Sequence, residues 1–281
     1  MKKRFKQLRF LKNKVVLITG GDSGIGKALA LEAARRGAIV IVVARDKKRL
    51  EKVANQCLIL SGRPAFSYQL DVTDPDQIDA VLSQIQHEVG GIDALVNSAG
   101  LGDFSPATGE SFATLKRMTD VNLLALMYIS RCVARQMMDQ GYGAIINLGS
   151  MAGKIPTPNS TTLTLLECME EAGVNQFDNV LRMEVADYGV QVLTVNPGPI
   201  DTPFFEKADT QGKYRAHLPK WMFISPDKLA EQIWDNVGYK TREINLPGYV
   251  TCLSWVYGII PGLGDWAIKK FFDFQQNKKE L

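Results

Sequence analysis

This chain predicts a doubly wound, mostly parallel α/β sheet with helices on both faces (a Rossmann-like fold), on three observations. Short, nearly continuous apolar runs recur along its 281 residues, amphipathic stretches of ten or more residues separate them, and a glycine-rich turn joins the first run to the first helix. Strands buried on both faces read as unbroken apolar runs, and parallel neighbours need a long crossover, usually a helix. A composition 46% apolar and 22% charged suits a sizeable core.

The first run, Val15–Thr19, leads into a helix over 24–36 with Ile25, Leu29 and Ala33 on one face, ended by Gly37. A second run over 39–43 precedes a charged amphipathic helix over 46–60, whose inner face is Leu50, Val53, Ala54 and Cys57. A third run, 66–70, ends at Asp71-Val72-Thr73-Asp74-Pro75, where Asp74 can cap a helix reaching Val89 and Pro75 suits its first position. Runs over 92–96, 144–148 and 190–195 continue the alternation around a long helical region over 112–138, and Glu243–Leu246 can add a last short strand. We therefore expect one domain over 14–250, including a lid over 203–224, with a basic arm over 1–13 and an extension over 251–281.

A net charge of +3 is too small to imply nucleic acid, and no zinc-binding cysteine spacing or aromatic RNA-binding signature occurs. Cys57, Cys132, Cys168 and Cys252 lie far apart beside apolar segments, as reduced, mostly buried thiols of a cytoplasmic protein do. His87 and His217 have no second ligand nearby, so no metal is expected. Lys2, Lys3, Arg4, Lys6, Arg9, Lys12 and Lys14 crowd the first fourteen residues without an acid, while Phe5, Leu8 and Leu11 fall at helical spacing. Such an arm is either a solvated basic face or a peripheral contact with a membrane surface. The uncharged stretch 249–264, followed by Ala267, Ile268, Phe271 and Phe274, can cover a substrate opening, form a subunit contact or touch a membrane. No segment reaches the roughly 18 apolar residues of a membrane span.

Thr19-Gly20-Gly21-Asp22-Ser23-Gly24-Ile25-Gly26 lies between the first strand and the first helix. Glycines there let the backbone approach a pyrophosphate, whose charge is favoured by amides at the helix N-terminus. This spacing resembles the short-chain dehydrogenase/reductase family. Further matches are Asp71-Val72, Asn97-Ser98-Ala99-Gly100, Asn122, Ser150, and Pro197-Gly198-Pro199-Ile200 with Thr202, covering residues 13 to 250 in order. The resemblance implies that Gly20, Asp22, Ser23, Gly24, Ile25 and Gly26 hold a nicotinamide dinucleotide. It likewise sets Asp71 and Val72 by the adenine, Asn97, Ala99 and Gly100 by ribose and phosphates, and Pro197, Gly198, Ile200 and Thr202 around the nicotinamide. These positions follow the carboxyl ends of the expected strands, where ligands enter a doubly wound sheet. At the end of the second strand no acid stands at Ala44, and Arg45 can pair with the 2′-phosphate of NADP, so NADP is favoured over NAD. Asp22 opposes this if it faces the same pocket.

The family's chemistry uses a serine, a tyrosine, a lysine four residues later, and an asparagine that supports the lysine. Ser150 and Asn122 match two of these roles as catalytic candidates. Counting from Ser150 puts Leu163 and Glu167 at the tyrosine and lysine positions; counting back from Phe177, Leu181, Arg182 and Glu184 puts Glu167 and Glu171 there. No tyrosine or lysine occurs between Lys154 and Tyr188. Glu167, Glu170 and Glu171 read as a solvated helix face, and Cys168 as a packed thiol. The main expectation is an NADP-preferring oxidoreductase for a hydrophobic carbonyl compound and its alcohol, in a homo-oligomer. A dinucleotide-binding protein without turnover and a membrane-associated scaffold remain as alternatives.

Overall fold

Side-chain alternation sorts each strand between two helical layers. Val16, Ile18, Val40, Val42, Val96, Ile146, Leu193 and Val195 belong to one buried cluster, while Val15, Leu17, Ile41, Val43, Leu95, Ile145 and Val192 belong to the other. A sheet covered on both faces requires this, since successive side chains point to opposite sides. The computed structural model describes residues 4–102, 111–151, 161–204, 208, 222–248, 257, 260–262, 264, 266 and 270, the side chains of 4 and 161–171 excepted.

Seven parallel strands form the sheet: β1 (Val15–Thr19), β2 (Ile39–Ala44), β3 (Ala65–Gln69), β4 (Ala94–Asn97), β5 (Gly143–Leu148), β6 (Val190–Pro197) and β7 (Glu243–Leu246). Their order is β3-β2-β1-β4-β5-β6-β7. The direction of winding reverses between β1 and β4, which opens a crevice at their carboxyl ends. Helices α1 (Gly24–Arg35) and α2 (Lys47–Ser61) cover one face with Leu29, Ala33, Leu50 and Val53. Helices α3 (Pro75–Glu88), α5 (Leu126–Gln140) and α6 (Thr161–Val185) cover the other with Ile78, Ile85, Ile129, Val133 and Leu181. Asp46 caps α2 by accepting from Arg49 N, and Asp74 caps α3 by accepting from the amides of Asp76 and Gln77, with Pro75 at the first helical position.

Two elements differ from the sequence reading. The long helical region expected over 112–138 is continuous but not α-helical throughout: α4 (Phe112–Thr119) passes through a π-helical turn, Asp120–Ala125, into α5. Apolar periodicity does not report such a turn, in which Asn122 bonds to another loop. A further helix, α7 (Pro226–Asn236), packs on α1, with Trp234 Nε1 donating to the Leu29 carbonyl at 3.1 Å. Its signal, Ser225-Pro226-Asp227, is short and sits beside the expected lid.

The amino-terminal segment packs on the domain. Its 3-10 helix, Arg4–Arg9, is followed by Leu11, and both Leu8 and Leu11 are buried. Burying one leucine contributes about 2 kcal/mol. Arg9 Nε donates to the Gly238 carbonyl at 3.2 Å, and its guanidinium stacks 4.1 Å from the Tyr239 ring centre. Most of 203–224 and most of 251–281 lie outside the described residues.

Candidate functional site

The loops after β1 and β4 are joined by one hydroxyl. Thr19 Oγ1 accepts from the backbone amides of Ser98 and Ala99, each at 3.1 Å. Gly20 follows with φ of +64°, and a Cβ there would lie 2.8 Å from Ala99 Cα. A Cβ on Gly26 would overlap the Gly20 carbonyl oxygen, so the first turn of α1 lies directly on the loop. Gly24 faces the Thr202 side chain, and Ile25 packs against the core. Ser23 occupies the N-cap of α1 but makes no side-chain capping bond. The first-turn amides are therefore not satisfied by their own cap, as an anion-binding helix start requires. A backbone loop in which Gly20 and Gly26 leave no room for a Cβ, opening on such amides, fits a pyrophosphate.

At the end of β2, Arg45 is exposed and its carbonyl accepts from Gln69 Nε2 at 2.9 Å. Asp71, between Arg45 and the buried Val72, keeps its carboxyl below the ordinary carboxylate value. Burial would raise it, but bonds from the Thr73 amide and hydroxyl, at 3.0 and 2.8 Å, and the charges of Arg45 and Arg117 outweigh burial. Asp22 does turn toward a basic group, but that group is Arg49: Nη1 is 4.0 Å from Asp22 Oδ2, and Nε is 3.3 Å from Asp46 Oδ2. Sequence reasoning missed Arg49. Its signal was its place three residues after the α2 cap, in the first turn, where a long side chain reaches back past the helix start.

Asn97 ends β4 with its side chain turned into the protein. Its Nδ2 donates to Ser130 Oγ at 2.9 Å and Asn147 Oδ1 at 2.8 Å. Asn147 Nδ2 donates to Asp178 Oδ1 at 2.5 Å, and Thr194 Oγ1 to Asp178 Oδ2 at 2.6 Å. Asp178 is fully buried, and burial pushes its carboxyl up to about 6 against the lowering effects of Thr194, Asn147 and the Arg182 charge. It too was missed, although an acid between Phe177 and Leu181 on a core-facing stripe was a visible anomaly.

Around the crevice, Asn122 uses the π-helical turn to clasp Leu101: Oδ1 accepts from its amide at 2.8 Å and Nδ2 donates to its carbonyl at 2.9 Å. Ala99 and Gly100 are therefore carried on a loop held by Thr19 at one side and Asn122 at the other. Ser150 lies just beyond β5, flanked by Gly149 N donating to Val195 O at 2.8 Å and Met151 N donating to Pro197 O at 2.9 Å. Pro197 ends β6, Gly198 N donates to Leu246 O, and Ile200 bridges to Ile224. Phe204 places its ring against Gly102, so the loop after β6 rests on the loop after β4.

Residues 152–160 and the side chains of Glu167, Cys168, Glu170 and Glu171 lie outside the described residues. A Tyr–Lys contact does occur, at the other end of the sheet. Lys14 Nζ is 3.2 Å from Tyr142 Oη and 3.6 Å from Asp93 Oδ1, and Tyr142 donates to Asp93. These residues precede β1, β4 and β5, opposite Ser150. Burial, followed by the bond to Asp93, raises the Tyr142 pKa.

Seven parallel strands in this order, with the glycine turn at the point where the winding reverses, define a Rossmann-like α/β protein. The profile of the short chain dehydrogenase family matches residues 14–213, and the chain belongs to that family of oxidoreductases. It is 34% identical over 217 residues to galactitol 2-dehydrogenase of Agrobacterium fabrum, covering 77% of this chain and 79% of the relative. A short-chain type dehydrogenase/reductase from Mycobacterium marinum superposes with a TM-score of 0.78 at 31% identity, over 88% of this chain and 99% of that one. A short-chain dehydrogenase from Sphingobium yanoikuyae, solved with NADPH, gives 0.76 at 27% identity over 89% and 94%.

Proposed function

We propose that the chain takes NADP in preference to NAD and interconverts a bulky apolar carbonyl compound with its alcohol. The observation that carries this reading is the pairing of the glycine turn with two arginines, Arg45 and Arg49, beside a β2 end where Ala44 replaces an acid. A carboxylate there would accept bonds from ribose hydroxyls, whereas guanidinium groups pair with a 2′-phosphate. Asp22 adds opposing charge, which Arg49 partly offsets. The NADPH of the Sphingobium relative supports the same choice.

In this reading Gly20 to Gly26 and the first amides of α1 hold the pyrophosphate, and Asp71 and Val72 border the adenine. Asn97, Ala99 and Gly100 pass the ribose and phosphates, while Pro197, Gly198, Ile200 and Thr202 surround the nicotinamide. When bound, NADP supplies the hydride chemistry at the carbonyl carbon. Ser150 donates a hydrogen bond to the substrate oxygen, and Asn122 fixes the Leu101 loop beside it. Phe204 offers an apolar wall, which suits a bulky apolar substrate better than the polyol named for the Agrobacterium relative. Exposed Leu124, Val180 and Met183 suit a homo-oligomeric contact, and the dispersed cysteines suit a cytoplasmic site.

Titration with NADPH and NADH is expected to give tighter NADPH binding, and Arg49→Gln to narrow the ratio by about tenfold, the value of one charge-assisted contact. Equal affinities in the unaltered protein would reject the NADP preference. Across a panel of apolar ketones and alcohols, Ser150→Ala should lower kcat on the order of 10²-fold while leaving NADPH binding intact. Undiminished turnover would remove Ser150 from the reaction.

One observation favours a second reading, a cofactor-binding protein without turnover. No tyrosine or lysine stands between Lys154 and Tyr188, so the proton-donating pair of the family is missing from its place in the sequence. Saturable NADPH binding with no oxidation or reduction over the panel would establish this second reading against the first.

A further inference from the structure

We propose that the surface of the amino-terminal segment, formed by the opening 3-10 helix and the residues just after it, docks on an anionic lipid bilayer, with Phe10 as its inserting side chain. The first fourteen residues hold seven of the 33 basic residues and none of the 30 acidic ones, leaving a formal charge of −4 on the rest of the chain. The segment does not trail from the domain. Buried Leu8 and Leu11 anchor it, Arg9 ties it to Gly238 and Tyr239, and a Cβ on Gly238 would lie 2.6 Å from Arg9 N.

Anchoring decides what faces outward. With both leucines turned in, Lys6, Gln7 and Lys12 are exposed, and Phe10, between the two buried leucines in sequence, is 80% exposed. A cluster of cations alone would suit any polyanion. An exposed aromatic ring in the same anchored segment suits a headgroup boundary, where apolar insertion and attraction to anionic lipid act together. The segment leads into the amino end of β1, whereas the glycine turn follows its carboxyl end. Five residues of strand separate the two by roughly 17 Å. Docking through this face therefore leaves the crevice open to a water-soluble cofactor, and it does not rest on the proposed chemistry.

Co-sedimentation with vesicles of phosphatidylglycerol and phosphatidylcholine, against vesicles of phosphatidylcholine alone, tests the proposal with the full chain. Binding is expected to the anionic vesicles only and to weaken as salt is raised. Phe10→Ser should weaken it about tenfold or more, and Lys6→Gln with Lys12→Gln by a similar factor. All three side chains are exposed, so these variants keep the fold, which thermal unfolding checks. Absence of vesicle binding, equal binding to neutral vesicles, or full binding by either variant overturns the proposal. A change in the sedimentation coefficient of the protein alone on Phe10→Ser would assign the face to a second copy of the chain, and overturns it as well.

Discussion

Gly26→Ala is expected to lower NADPH affinity by about 100-fold or more, the cost of misplacing a binding group by about 1 Å. The added methyl would overlap the Gly20 carbonyl oxygen and lie 2.8 Å from its carbon and 3.2 Å from Gly21 Cα. Every one of these atoms is backbone, so no rotamer change relieves the clash. Gly20 cannot retreat either, because it already sits against Ala99 and Ser98, whose amides are held by Thr19. The strain must instead separate α1 from the loop and move the amides that the proposed reading sets against the pyrophosphate. Overpacking of this kind also costs about 1–3 kcal/mol of stability. Calorimetric titration with NADPH, run beside urea unfolding, separates the two effects. An unchanged dissociation constant would show that the turn does not hold the cofactor.

Asp178→Asn is expected to remove a pH dependence that the unaltered protein carries. In the folded chain this carboxyl is raised from 3.8 to about 6, with burial as the leading cause. The folded state therefore keeps a proton there that the unfolded chain releases. Below the unfolded pKa both states are protonated and the group costs nothing. As pH rises toward and through about 6, the folded protein must hold a buried charge, at a cost on the order of 3 kcal/mol at pH 7. Asparagine does not titrate. The stability of the unaltered protein relative to the variant should therefore fall between pH 4 and 7 by that amount, whatever constant offset the substitution adds. That offset arises because the amide accepts from only one of Asn147 and Thr194 as well as before; Thr194 Oγ1 also receives Arg182 Nη2 at 3.2 Å. Urea unfolding across the pH series measures the difference, and a flat difference would reject burial as the force on this group.

Both predictions concern residues of unequal visibility in the sequence. Gly26 was legible because its role is local: a strand, a turn and a helix within twelve residues specify the backbone approach that a glycine serves. The strands were legible for a similar reason, since an apolar run buried on both faces needs no partner to announce itself, and Glu243–Leu246 was bounded correctly despite its four-residue length. Asp178 was not legible as a site. Its meaning depends on Asn147 and Thr194, which strand pairing brings opposite one another from 47 residues apart. Arg49 was overlooked for the same reason, because the Asp22 it faces lies on another loop.

By itself, then, the sequence determined the alternation of strands and helices, the glycine turn and the order of the loops that follow the strands, since each follows from local periodicity, turn chemistry and chain direction. Tertiary structure alone decided the π-helical turn that lets Asn122 clasp Leu101, the buried chain from Asn97 to Asp178, and the seating of Leu8 and Leu11 that leaves Phe10 outside. Those features arise from contacts between segments distant in sequence, and their energies exist only once the sheet has brought the partners together.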